Sequence, residues 1–129
     1  MEKKLLRHGS KLKICYLVER DRHPELHHFL ERLKKDDLST YKKAISFIEK
    51  LKDNPEAYKT LKKFKKLKHD DELWELKVSN ETRFFLFYSA EHEVCITHGY
   101  RKQKKSSKRL TQEIEKAATI KRRYYESIQ

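Results

Sequence analysis

Three short apolar runs, split by polar turns, fill residues 73–101. They are Leu73-Trp74-Glu75-Leu76-Lys77-Val78, Thr82-Arg83-Phe84-Phe85-Leu86-Phe87-Tyr88 and Glu93-Val94-Cys95-Ile96-Thr97-His98-Gly99-Tyr100. Each has strand length, is rich in aromatic and β-branched residues, and is bounded by turn formers such as Ser79-Asn80 and Ser89. The short gaps predict an antiparallel meander. A period of two puts Arg83, Phe85 and Phe87 on one face of the middle strand, and Phe84, Leu86 and Tyr88 on the other. The same count puts Val94, Ile96, His98 and Tyr100 on one face of the third strand, with Cys95, Thr97 and Gly99 opposite. The middle strand is apolar on both sides, so both must be covered except where Arg83 emerges. That exception makes Arg83 a candidate site residue.

Upstream, residues 1–10 read as a frayed basic start, and Lys11 to Val18 as a first strand with Leu12, Ile14, Tyr16 and Val18 on one face. Pro24 suits the first position of a helix whose stripe is Leu26, Phe29, Leu30 and Leu33. After Lys34-Lys35-Asp36-Asp37, Ser39 or Thr40 is placed to cap a second helix. Its stripe is Tyr41, Ala44, Ile45, Ile48 and Leu51, closed by Asp53-Asn54-Pro55. The two form a helical hairpin over one face of the sheet. Residues 56–72 are a basic connector, a short helix or a loop pinned by Leu61, Phe64 and Leu67. A last helix, capped by Thr111, carries Leu110, Ile114, Ala117, Ala118 and Tyr124 and runs into a helical tail at 120–129. The order β-α-α-β-β-β-α predicts one α+β domain over residues 1–129. Its sheet is small, four-stranded and mostly antiparallel, with the first strand alongside the meander, the helical hairpin on one side, and a C-terminal helix.

Composition adds a partner class. Charged residues make up 40% of the chain and the formal charge is +12, with a pI near 9.7. Such an excess favours a polyanion, with nucleic acid first and an anionic membrane surface second. Two basic stretches supply candidate nucleic-acid contacts: Lys62, Lys63, Lys65, Lys66 and Lys68, then Lys104, Lys105, Lys108 and Arg109. No apolar run is long enough to span a membrane and the N-terminus has no apolar signal core, so the expected location is cytoplasmic. Cys15 and Cys95 read as buried thiols of a reducing compartment. His27-His28 diverge in direction on a helix and are rejected as metal ligands. No metal and no cofactor is expected.

Three pieces in order carry a resemblance: Leu73-Trp74-Glu75-Leu76-Lys77, then Arg83 opening an aromatic strand, then His98-Gly99-Tyr100-Arg101-Lys102 leading through a basic link into a helix. Over about Leu12 to Ala118 the chain resembles the RelE/ParE superfamily of bacterial toxins, and within it the phage-derived, HigB-like branch. Lys77 stands where that branch more often has Arg, and Tyr100 where Phe is commoner. The Lys59 to Lys68 run and the tail past Ile120 are less typical. The resemblance implies a RelE-like fold and a type II toxin–antitoxin toxin. Its activity would be ribosome-dependent cleavage of mRNA in the decoding site. Its partners would be mRNA, ribosomal RNA and a cognate antitoxin, usually with a helix-turn-helix domain.

Metal-free RNA cleavage needs cations for the charge growing on phosphorus, a base for the 2′-hydroxyl proton and an acid for the leaving oxygen. By resemblance Arg83 and Arg101 come first as phosphate-gripping residues. Tyr100 or His98 is a candidate for handling protons or stacking on a base, and Lys77 or Lys102 for taking the proton. His98 also reads as a satisfied strand histidine, and Glu75 as an orienting partner or an ordinary ion pair. Three rival functions remain open: a ParE-like poison of DNA gyrase, a non-enzymatic RNA-binding or ribosome-binding module, and an inactive or structural member retained in a larger complex.

Overall fold

The computed structural model describes residues 1–102 and 107–129, without the side chains of 107 and 108. Its elements are β1 (Glu2–His8), β2 (Lys13–Val18), α1 (Glu25–Asp36), α2 (Leu38–Asp53), α3 (Pro55–Thr60), β3 (Phe64–Lys66), β4 (Trp74–Lys77), β5 (Thr82–Ala90), β6 (Glu93–Arg101) and α4 (Ser107–Ser127). One sheet runs β1-β2-β6-β5-β4-β3. The pair β2–β6 is parallel and the other pairs are antiparallel. The α+β class, the mostly antiparallel sheet, the helical hairpin on one face and the presence of a C-terminal helix agree with the sequence expectation; that helix covers the other face.

The sheet has six strands rather than four. The stretch expected to be frayed is β1, an edge strand antiparallel to β2. Five of its seven residues are exposed and only Leu6 packs against the core, so it has no apolar alternation to read. Backbone pairing holds it, with ion pairs from Lys3 to Glu93 and from Arg7 to Glu49. The basic connector is likewise part sheet. After α3 the chain turns at Lys62, whose φ is 58°, and enters β3 at the other edge. Phe64 anchors that strand by stacking on Trp74 at 4.7 Å between ring centroids.

Two helix starts also differ. Asp37, rather than Ser39 or Thr40, caps α2: its carboxylate accepts from the Thr40 backbone N–H at 3.1 Å and from the Thr40 hydroxyl at 2.7 Å. The last helix begins at Ser107, one turn ahead of Thr111.

A β-bulge rearranges the third strand of the meander. Phe85 faces His98 but Leu86 faces Ile96, so Thr97 is an extra residue opposite β5. Its hydroxyl donates to the Phe85 carbonyl at 3.2 Å. The extra residue breaks the period of two. Val94 and Ile96 pack with Ile14, Leu26, Phe84 and Leu86 beneath the hairpin. His98 and Tyr100, expected beside them, lie instead on the α4 face, where Tyr100 joins Leu73, Phe85, Ala117 and Ala118. Gly99 then falls on the hairpin face against Phe29, where an added Cβ would sit 2.4 Å from the ring.

Candidate functional site: a cationic row at the end of the sheet

In register, Lys77 faces Arg83 and Arg83 faces Tyr100. Side chains in direct cross-strand register share a face, with Cβ atoms about 4.5–5.5 Å apart. An ammonium, a guanidinium and a phenol therefore stand in one row across β4, β5 and β6, on the side covered by α4. Glu75, Phe85 and His98 make up the next row inward.

Glu75 is 1% exposed, and its Oε2 accepts from Arg83 Nη1 at 3.1 Å. Lys65 Nζ lies 3.9 Å from Oε1. Arg83 Nη2 also donates to the Asn80 carbonyl at 3.3 Å. Among the described residues, Arg83 Nε and Glu75 Oε1 are buried without a hydrogen-bond partner. Burying a charged pair is costly and usually comes with its donors and acceptors filled. This pair keeps capacity to spare.

His98 is buried and engaged at both ring nitrogens, Nε2 with Glu113 at 2.8 Å and Nδ1 with the Thr97 hydroxyl at 3.1 Å. Its ring lies 5.2 Å from that of Phe85. The hydrogen bond from His98 outweighs burial and holds the Glu113 carboxyl below the usual range. This contact ties α4 to the sheet directly behind the row.

Arg101 is on the other face. It follows Tyr100 in β6, and the pleat turns it toward the hairpin, where Nη2 meets Asp37 Oδ2 at 2.7 Å and stands 3.9 Å from Glu81. Hydrogen bonds from Thr40, then from Arg101, hold the Asp37 carboxyl below its ordinary value. The Lys102 backbone N–H donates to the Glu81 carbonyl, fastening the strand's end to the β4–β5 turn. The resemblance named Arg83 and Arg101 together as the residues that grip the phosphate. The fold separates them by one step of pleat, and each is ion-paired on its own side.

Beside the row, β2 pairs only with residues 93–96 of β6, so among the described residues the β6 edge beyond Ile96 has no strand partner on that side. The flanks α1 and α4 enclose this edge, joined by an ion pair between Lys116 and Glu25. A cleft of about 300 Å³ opens here, with Tyr100 and Arg101 on its floor and Arg32, Arg109, Glu113 and Lys116 on its walls. Arg109 bonds Glu113 at 3.1 Å. Sequence reasoning missed Arg32, Lys116, Glu113 and Asp37 because nothing local marks a helix residue as facing a sheet edge.

The predicted basic contacts divide. Lys65, Lys66 and Lys68 are exposed at or beyond the β3 edge, and Lys62 is exposed in the turn before it. Lys63 lies over the rings of Phe47 and Tyr58, at 5.0 and 5.6 Å. Lys104, Lys105 and the side chain of Lys108 fall outside the described residues. No helix among the described residues is long and apolar enough to cross a membrane.

The family model described as Phage derived protein Gp49-like (DUF891) matches residues 29–122. The chain belongs to that family. The match takes in most of the hairpin, the meander and most of α4, and so Lys77, Arg83 and Tyr100 of the row and Arg32, Arg109, Glu113 and Lys116 of the cleft, but not Glu25 and His28 at its rim. A solved structure, a YoeB/ParE toxin from Agrobacterium tumefaciens, superposes with a TM-score of 0.50 at 16% identity, covering 68% of this chain and 95% of that one. At that identity the likeness establishes the fold, which this Gp49-like chain shares with that toxin. No curated protein sequence matches the chain.

Proposed function

We propose that this chain is the toxin of a type II toxin–antitoxin system, on the phage-derived HigB-like branch, and that it cleaves mRNA on the ribosome. The observation that carries the reading is the Lys77–Arg83–Tyr100 row, three chemically apt side chains in direct register at the end of a rigid sheet. The fold shared with a YoeB/ParE toxin and the net charge of +12 support it.

In the proposed reaction the 2′-hydroxyl attacks the adjacent phosphorus. Its O–H bond breaks as the new O–P bond forms. The bond to the 5′-oxygen breaks, and the proton given up by the 2′-hydroxyl is passed on through the Tyr100 phenol to that oxygen, leaving a 2′,3′-cyclic phosphate and a 5′-hydroxyl. Arg83 and Lys77 offset the charge gathering on the phosphoryl oxygens, without a metal ion. Tyr100 lines the floor of the cleft and is only 6% exposed, its ring packed in the core, so passing a proton rather than stacking on a base is its part. Arg101, Lys102 and Arg109 bind flanking phosphates. Lys62, Lys65, Lys66 and Lys68 bind ribosomal RNA through its backbone, positioning the toxin without reading sequence. A helix-turn-helix antitoxin is the partner.

The test is expression of the chain alone, with mRNA 5′ ends mapped across translated regions. Cuts inside codons, lost in Arg83→Ala, support the reading. Intact mRNA with DNA damage points to gyrase instead. A second reading, a ribosome-binding module without catalysis, is favoured by the carboxylates that hold both Arg83 and Arg101. It predicts salt-sensitive ribosome binding with no cuts in the parent.

A further inference from the structure

Cys15 and Cys95 are distant in sequence, but the parallel pairing of β2 with β6 sets them in direct register. Both are free and buried. Glu93 lies two residues before Cys95 on the same side of β6, and one of its oxygens and the two sulfurs all lie within 4.8 Å of one another. The Ser89 hydroxyl sits among them, 2.6 Å from Glu93 Oε1 and 3.4 Å from Cys95 Sγ. Phe87, Ile120 and Tyr124 pack over the thiols. Two buried cysteines alone are ordinary core packing. The Glu93 carboxylate, held by Lys3 and by the Ser89 hydroxyl, brings a third ligand atom to the two sulfurs.

We propose that Cys15, Cys95 and Glu93 bind a thiophilic divalent cation of the zinc class. Around a tetrahedral ion, thiolates at about 2.3 Å and a carboxylate oxygen at about 2.0–2.2 Å stand roughly 3.3–3.8 Å apart, so the cluster needs to contract by no more than about 1–1.5 Å. Two sulfurs select a soft ion over magnesium or calcium. Binding releases the two thiol protons. It also displaces the Lys3 ammonium from Glu93. Lys3 is free to leave, since it lies on the edge strand with its side chain 33% exposed, whereas the Glu93 side chain is 14% exposed. Water completes the fourth position. The ion would cross-link β2 to β6 at the opposite end of β6 from Tyr100, so this site stands independently of the proposed nuclease.

The test uses the full chain, kept reduced with a phosphine. One equivalent of cadmium is expected to give a saturable thiolate-to-metal absorption band in the ultraviolet. Zinc at a hundredfold excess over its Kd is expected to raise Tm by about 5–10 °C. Cys15→Ser should abolish the band, and Glu93→Gln should weaken binding about tenfold or more while leaving the far-UV circular dichroism of a folded chain. Absence of a band in the reduced parent overturns the proposal. So does a band surviving Cys15→Ser, which would put the ion elsewhere, or one keeping its full affinity in Glu93→Gln. Should Cys15→Ser fail to fold, the Glu93→Gln titration decides.

Discussion

Arg101 is the chain neighbour of Tyr100, the register partner of Arg83, yet Arg101 and Arg83 leave the sheet on opposite faces. Glu75 holds one from the α4 side, and Asp37 holds the other from the hairpin side. The two arginines therefore do different work. Arg83 belongs to the row, and Arg101 clasps the helical hairpin and lines the cleft.

Arg83→Ala is expected to lower the single-turnover rate of mRNA cleavage on ribosomes by about 100-fold. Arg101→Ala is expected to raise the half-saturating ribosome concentration instead. It should change the urea midpoint only slightly, because its ion pair with Asp37 is part-exposed and screened by solvent. Equal rate losses with unchanged ribosome affinity would show that the two share one task.

Glu113→Ala leaves His98 buried beside an empty partner position and should cost about 1–3 kcal/mol in urea unfolding. The acid limb follows from the same pair. Glu113 is depressed in the folded state, so its contribution is complete above the unfolded carboxyl value of about 4.3 and fades as pH falls through the lower folded value. Glu113→Gln should flatten that part of the stability–pH curve. An unchanged acid limb would contradict the assignment.

Gly99→Ala drives a methyl group into the Phe29 ring. A loss of about 1–3 kcal/mol is expected, with recovery when Phe29→Leu is added. The measurement is a double-mutant cycle of urea midpoints.

Lys65, Lys66 and Lys68, each replaced by Ala, should each reduce the slope of log affinity for ribosomes against log salt by about 1. Lys63→Ala should leave that slope alone and lower stability, because Lys63 packs over Phe47 and Tyr58.

The meander and the hairpin were legible because their periodicities are strong, with Phe84 and Leu86 alternating with Phe85 and Phe87, and Leu26, Leu33, Ala44 and Ile48 at helical spacing. Other features had no local mark. The strand β1 half-buries only Leu6 and Arg7, too little to make a period of two. Asp37 read as the end of one helix and is also the cap of the next. The bulge at Thr97 carries no Gly or Pro, so a strict period of two put His98 and Tyr100 on the wrong face. The meeting of Cys15 with Cys95 depends on a parallel pairing that sequence order does not reveal. Lys77, Arg83 and Tyr100 were each named from the sequence. Their standing in one row follows from register, which the bulge resets.

The strand β6 is inserted between β2 and β5 in the middle of the sheet, and its residues 93–96 are the partners of 13–16. Synthesis runs from the amino end, so the first hairpin leaves the ribosome long before the strand that receives it. Until then β2 has an uncovered edge, and Tyr100, on that same late strand, has not been made. On the proposed function, a chain made only as far as β5 lacks Tyr100 and is harmless to the ribosome producing it, and it gains its capacity to injure only once β6 has been added.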